Sequence, residues 1–99
     1  MGERVIDEQH IADFFKAIAH PTRINILRTI HRNNYCVNDI SDRLHLNQPN
    51  TSQHLSILKE KNIIQKTKNG NEVCYRIRNV DVIKLLEEAE RIISQLKNE

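Results

Sequence analysis

The 99 residues contain no tryptophan and one methionine, and glycine, proline, cysteine, phenylalanine and tyrosine each occur only twice. So few aromatic rings exclude the large stacking platforms on which single-stranded nucleic acids are held. The two glycines, Gly2 and Gly70, leave no glycine-rich phosphate loop. The two prolines, Pro21 and Pro49, leave long uninterrupted stretches for helices. No apolar run approaches the length of a membrane span. Met1-Gly2-Glu3-Arg4 opens no signal peptide, and Ile6 stands where a myristoylation motif takes Ser or Thr. The expected location is the cytoplasm, with no membrane partner. In that compartment Cys36 and Cys74 are expected as reduced thiols rather than a structural disulfide. His10, His20, His31, His45 and His54 are scattered over different segments, and no Ser/His/Asp set or carboxylate pair emerges from the spacing. The chain is therefore not read as an enzyme.

Its length fits one domain, residues 1–99, whose modest core makes dimerisation a natural source of stability. Ile11, Phe14, Phe15 and Ile18, at spacings of three and four, predict an amphipathic helix over Asp7 to Ala19. His20-Pro21 stops it, because the residue before proline disfavours helical backbone, and Pro21 suits the next helix start. Ile24, Ile26, Leu27 and Ile30 line that second helix, which should end near Arg32 to Asn34. After a short, slightly extended connection, Val37, Ile40 and Leu44 mark a third, short helix. Leu46-Asn47 forms a turn, Asn47 caps a fourth helix, and Pro49 is tolerated in its first turn. Two helices joined by so short a turn form a helix-turn-helix.

The fourth helix, running to about Lys61, carries the most information. Leu55, Leu58 and Thr51 turn inward, while the opposite face holds Gln48, Asn50, Ser52, Gln53 and His54. From Leu46 through Leu58 there is no carboxylate, as a surface facing phosphates requires, and a helix N-terminus itself attracts phosphate. Gln48, Asn50 and Gln53 match adenine edges. Thr51 offers its methyl to thymine unless it is buried. Ser52 and His54 suit phosphate, with capping or packing inside the domain as the alternative for His54. Lys59 and Lys61 extend the phosphate-contacting set from the helix end. Residues 59–78 set Lys59, Lys61, Lys66, Lys68, Arg76 and Arg78 against only Glu60 and Glu72, a basic neighbourhood suited to duplex DNA.

Beyond Asn62 the period shortens. Ile63 to Lys68 and Glu72 to Arg78 flank Asn69-Gly70-Asn71, and Asn-Gly is a strong hairpin signal because both residues accept positive φ. This hairpin is a candidate wing, with Lys66, Lys68 and Arg76 toward backbone or minor groove. Asn79 caps a last helix over residues 80–96. Val82, Leu86, Ala89, Ile93 and Leu96 repeat at four-three spacing, widened by Ile83, Leu85 and Ile92. That stripe is generous for a small domain. With Ile11, Phe14 and Phe15 it is read as a subunit interface across a two-fold axis. The fold expected is mainly α with a β-hairpin wing: four helices, the hairpin and a fifth helix. The expected partner is double-stranded operator DNA, an imperfect palindrome read by a homodimer. A winged-helix adaptor that binds protein instead of DNA stands as the alternative.

These segments together resemble the ArsR/SmtB family of winged helix-turn-helix transcriptional repressors over nearly the full length. Phe15-Lys16-Ala17-Ile18-Ala19-His20-Pro21-Thr22-Arg23-Ile24-Asn25-Ile26-Leu27 is similar to the family's opening. Val37-Asn38-Asp39-Ile40-Ser41 is similar to its third helix, and Leu46 through Leu58 to its reading helix. Tyr75-Arg76-Ile77 follows its wing. The resemblance implies an operator-bound repressor released by an inducer, commonly a metal ion or a thiol-reactive species. The known metal sites are degraded here. Where one uses Cys-Val-Cys, this chain reads Cys36-Val37-Asn38. Where another uses terminal-helix donors, it offers Asn79, Asp81, Ile92 and Gln95, of which only Asp81 can ligate. No metal residues and no cofactor are assigned. Cys36 and Cys74 stay open between small buried residues, a redox pair and a non-standard metal site. The inducer itself is left open.

Overall fold

The computed structural model describes residues 5–33 and 36–98. The element order is α1 (Glu8–Ile18), α2 (Pro21–Asn33), α3 (Val37–Leu44), α4 (Gln48–Glu60), β1 (Ile64–Asn69), β2 (Glu72–Ile77) and α5 (Asp81–Lys97). Each boundary has a local cause. Asp7 caps α1, its carboxylate accepting from the His10 N–H at 3.0 Å while His10 Nδ1 accepts from the Asp7 N–H at 3.2 Å. Pro21 opens α2, whose Thr22 N–H is taken by His20 Nδ1 at 3.0 Å. His45 ends α3 in the left-handed region at φ 55, and Asn62 follows α4 at φ 60. Both are positions where a short polar or ring side chain tolerates a conformation costly to others. Asn47 caps α4 by accepting from the Asn50 N–H at 2.8 Å, with Pro49 in the first turn.

Asn79 reaches the start of α5, its side-chain oxygen accepting from the Asp81 N–H at 2.9 Å, although Val80 holds the cap position. The strands pair antiparallel from Ile64↔Ile77 to Asn69↔Glu72. The turn is therefore Gly70-Asn71, and Asn69, read as part of the connection, pairs with Glu72 as the last residue of β1. Only Gly70, at φ +66, takes a positive φ there.

The core joins Ile26, Leu27 and Ile30 of α2 to Ile40 of α3, Leu55 and Leu58 of α4, and Ile63 and Ile64 leading into β1. A fully buried side chain of this size contributes about 1.5–3 kcal/mol relative to exposure. Val82, Ile83 and Leu86 of α5 belong to the same cluster. Val82 and Leu86, read from the sequence as subunit-interface residues, thus pack against the core of their own chain. Periodicity shows that a stripe is apolar and does not show which partner covers it. Phe14 is likewise half-buried against the core. The stripe left uncovered consists of Ile92, Ile93 and Leu96, with Ile11 and Phe15 on α1. The chain is also less compact than its length implies. Its radius of gyration is 15.0 Å, against about 13 Å for an ordinary domain of this size.

Cys36 and Cys74 form a disulfide. Cys36 pairs with Cys74 as an isolated antiparallel bridge, a one-residue third strand along the edge of β2. Their Cα atoms lie 3.8 Å apart, closer than the range of about 4.4–6.8 Å usual for bonded cysteines. The expectation of reduced thiols is thereby overturned. It rested on compartment, which does not register a backbone pairing across 38 residues.

Candidate nucleic-acid interface

The face expected to meet DNA begins with how α4 is seated on α3. Thr51 is fully buried, and its hydroxyl accepts from Ser41 Oγ at 2.8 Å and reaches the Asn47 carbonyl at 3.1 Å. Thr51 therefore holds the two helices together, and its methyl is not available to a thymine. Both hydroxyls lie on the apolar stripes of their helices, Ser41 with Val37, Ile40 and Leu44, and Thr51 with Leu55 and Leu58. A small hydroxyl on each facing stripe was the signal for this pairing, and the sequence reading did not join the two.

With that contact fixed, Gln48, Asn50, Ser52 and Gln53 are exposed on the other side of α4, as is Ser56, which the sequence reading left out. His54 departs from this set. It is half-buried, with its ring 4.6 Å from that of His20 and its Nδ1 3.3 Å from Arg23 Nη1. A guanidinium only donates, so His54 Nδ1 accepts and the imidazole is neutral. Burial, reinforced by His20 and Arg23, holds its pKa below the ordinary histidine value. His54 thus packs α4 against the α1–α2 junction, the alternative foreseen for it, and is not aimed at phosphate.

The hairpin register divides the basic residues of the wing. Lys66 pairs with Tyr75 and Lys68 with Val73, whereas Arg76 pairs with Gln65. Directly opposed residues share a face and neighbours alternate. Lys66 and Lys68 therefore share one face, and Arg76 lies on the other. Lys66 borders the same cavity as Gln48 and Ser52 of α4, so the wing and the reading helix meet there. Lys59 is exposed near the end of α4. Lys61 borders hollows lined by His10, Asp13 and Phe14 and by Asn79 and Asp81, on the side of α1 and α5. The structure brings together Gln48, Ser52, Lys66 and the Cys36 end of α3, and sets Lys61 and Arg76 apart from them.

The disulfide is built into this face. Cys36 is the residue before the first turn of α3 and makes no side-chain capping bond, while Cys74 lies within β2. One covalent link thus joins the helix-turn-helix to its wing. Closing a loop of 38 residues removes denatured-state entropy worth about 4 kcal/mol in the chain-entropy account. Among the described residues, no group of three or more His, Cys, Asp or Glu could hold a metal ion, and no helix is long and apolar enough to cross a membrane.

A short turn between α3 and α4, an acid-free polar helix face and a basic hairpin beside it define a winged helix-turn-helix protein. The comparisons sharpen that class. Residues 20–66 match the profile of the bacterial regulatory protein arsR family. The HTH-type transcriptional repressor SmtB of Mycobacterium tuberculosis is similar at 38% identity over 65 residues, 66% of this chain and 48% of SmtB. The alignment thus takes in about half of that relative. The HTH-type transcriptional regulator Rv0081 of the same organism is 31% identical over 86 residues, covering 86% of this chain and 75% of Rv0081. Its crystal structure superposes with a TM-score of 0.83 at 28% identity, over 91% of each chain. The homodimeric winged helix-turn-helix DNA-binding domain of Mb0332 from Mycobacterium bovis shares the fold at a TM-score of 0.79 and 24% identity, over 90% of this chain and 83% of that one. The chain belongs to the arsR family of bacterial regulatory proteins.

Proposed function

We propose that the protein is a homodimeric transcriptional repressor that binds duplex operator DNA through α4, and that the thiol–disulfide state of Cys36 and Cys74 controls that binding. The disulfide carries the reading, because it ties the start of α3 in the helix-turn-helix to β2 of the wing. Gln48, Asn50 and Gln53 read base edges in the major groove, and Ser52, Lys59, Lys66 and Lys68 hold phosphates. Repressor activity is the function named for SmtB. The uncovered stripe of Ile11, Phe15, Ile92, Ile93 and Leu96, together with the homodimeric state of the Mb0332 domain, supports a two-fold pair. Such a pair would set its reading helices about 34 Å apart on an imperfect palindrome.

In the reduced protein the wing is free to follow the DNA backbone, while in the oxidised protein it is tied to the start of α3. Oxidation is expected to weaken operator binding by about 5- to 150-fold, the range of ordinary coupling energies. Titration of promoter DNA with both forms, and with Cys36→Ser, tests this. Equal affinity of the two forms would remove the thiol switch. Affinity indifferent to operator sequence and to Gln53→Ala would remove specific recognition. Release of DNA by a metal ion from the Cys36→Ser protein would favour a metal-responsive repressor in its place.

A further inference from the structure

A cavity of about 440 Å³ lies between α3, α4 and the wing, and Cys36 is part of its wall. Its size is that of small-molecule sites, which run from about 300 to 1,000 Å³. Gln48 and Ser52 face it from α4, Lys66 and Glu72 from the two strands, and Tyr75 from the wing's inner face. Residues bearing amide, hydroxyl, ammonium and carboxylate groups therefore border one cavity with Cys36. Both cysteines are buried, Cys36 at 8% and Cys74 at 5% exposure, and of the two it is Cys36 that borders the cavity.

We infer that this cavity is a binding site for the disulfide of a zwitterionic low-molecular-weight thiol, a cysteine-type amino acid or small peptide. The inference rests on the redox reading of the pair and names its reactant. Lys66 pairs with the ligand's carboxylate, Glu72 with its ammonium, and Gln48 and Ser52 bond its amides. In the reduced chain the positive end of α3, where Cys36 makes no side-chain cap, favours negative charge on the Cys36 sulfur. The Cys36 thiolate attacks one sulfur of the bound disulfide, forming a Cys36–ligand disulfide and releasing one ligand thiolate. The Cys74 thiolate then attacks Cys36 Sγ, forming the Cys36–Cys74 bond and releasing the second ligand thiolate. The protein loses two electrons, the ligand disulfide gains them, and the two protons leave with the two released thiols. Cys36 is the attacking residue and Cys74 the resolving one.

The test follows the reduced full-length protein by intact mass, without DNA, so its outcome is independent of the operator reading. Oxidised glutathione is the charged probe and hydroxyethyl disulfide the neutral one. With oxidised glutathione, Cys74→Ser is expected to accumulate a single adduct on Cys36, and Cys36→Ser to accumulate none. Lys66→Gln is expected to slow the glutathione reaction up to about fivefold, as loss of an exposed ion pair does, and to leave the hydroxyethyl rate unchanged. Lys66 is exposed, so this variant reports on the site even where a cysteine variant folds poorly. Equal adduct formation at both cysteines, or equal slowing of both probes by Lys66→Gln, would overturn the site. If the site holds while operator affinity is equal in the two redox states, the switch fails and the exchange chemistry stands.

Discussion

Two hollows of the chain, one beside the reading helix and one on α1 and α5, differ in nearly every physical respect. The one between α3, α4 and the wing is lined largely by amides, hydroxyls and charges around Cys36. The one on the α1 side, about 790 Å³, is lined by Val5, Ile6, His10, Ile11, Phe14, Phe15 and Leu85. Open polar walls are stable in water and wait for a polar ligand. Open apolar walls of that extent lose free energy in water and call for a cover. One small chain thus separates its two expected partners by chemistry. On the proposed function, DNA and thiol reagents are expected on the polar side and a second copy on the apolar one.

The largest expected effect breaks the apolar side. Ile93→Asp with Leu96→Asp places two charges where the side chains are 52% and 63% exposed in the single chain, so each protomer still folds. Sedimentation should report monomers, and operator affinity should fall by about 10²–10⁴-fold as the second half-site loses its tether. Unchanged affinity with retained dimers would move the interface elsewhere. The next effect sits beneath the polar side. Thr51→Val keeps the shape of the buried residue and leaves the Ser41 hydroxyl without its partner, at a cost of about 1–3 kcal/mol in urea unfolding. Ser41→Ala combined with Thr51→Val should recover part of that loss.

A finer test splits the wing. Lys66→Ala should lower the salt dependence of DNA binding by about one phosphate contact, and Arg76→Ala, on the opposite face of the hairpin, by less. Equal slopes would mean that both faces of the wing touch DNA. The smallest effect concerns His54. Its folded pKa lies below the ordinary 6.5, chiefly through burial. On acidification the unfolded chain therefore takes up the proton first. The stability contributed by neutral His54 is complete above about pH 6.5 and declines below it, until the folded histidine itself titrates. Urea unfolding from about pH 8 to about pH 5 should show this decline, and His54→Gln should flatten it.

How legible each feature was depended on how local its cause is. Helix starts at Pro21 and Asn47 follow from one or two residues, and each stands where the sequence placed it. The polar face of α4 was legible because a helix fixes which side chains share a side. Thr51 belonged to both readings until the Ser41 hydroxyl settled it inward. The hairpin and its connection at Asn69-Gly70-Asn71 were legible, and Asn69 alone moved into the strand, where it pairs with Glu72. Val82 and Leu86 were legible as apolar, while their packing on the core of their own chain was not. The Cys36–Cys74 link and the contact of His54 with His20 and Arg23 were beyond periodicity, because each joins segments more than 30 residues apart.

The disulfide has a topological consequence. It closes residues 36–74 into a covalent ring that contains α3, α4, β1, the hairpin turn and nearly all residues assigned to DNA, with Arg76 just outside. The helices that bear the uncovered apolar face, α1 and α5, are the two tails leaving that ring. In the oxidised chain, a pull on the termini passes directly from Cys36 to Cys74 and bypasses the reading helix, and one backbone cut inside the ring leaves its ends tied. Reduction turns the ring back into a thread, so the same cut would release the wing from the reading helix.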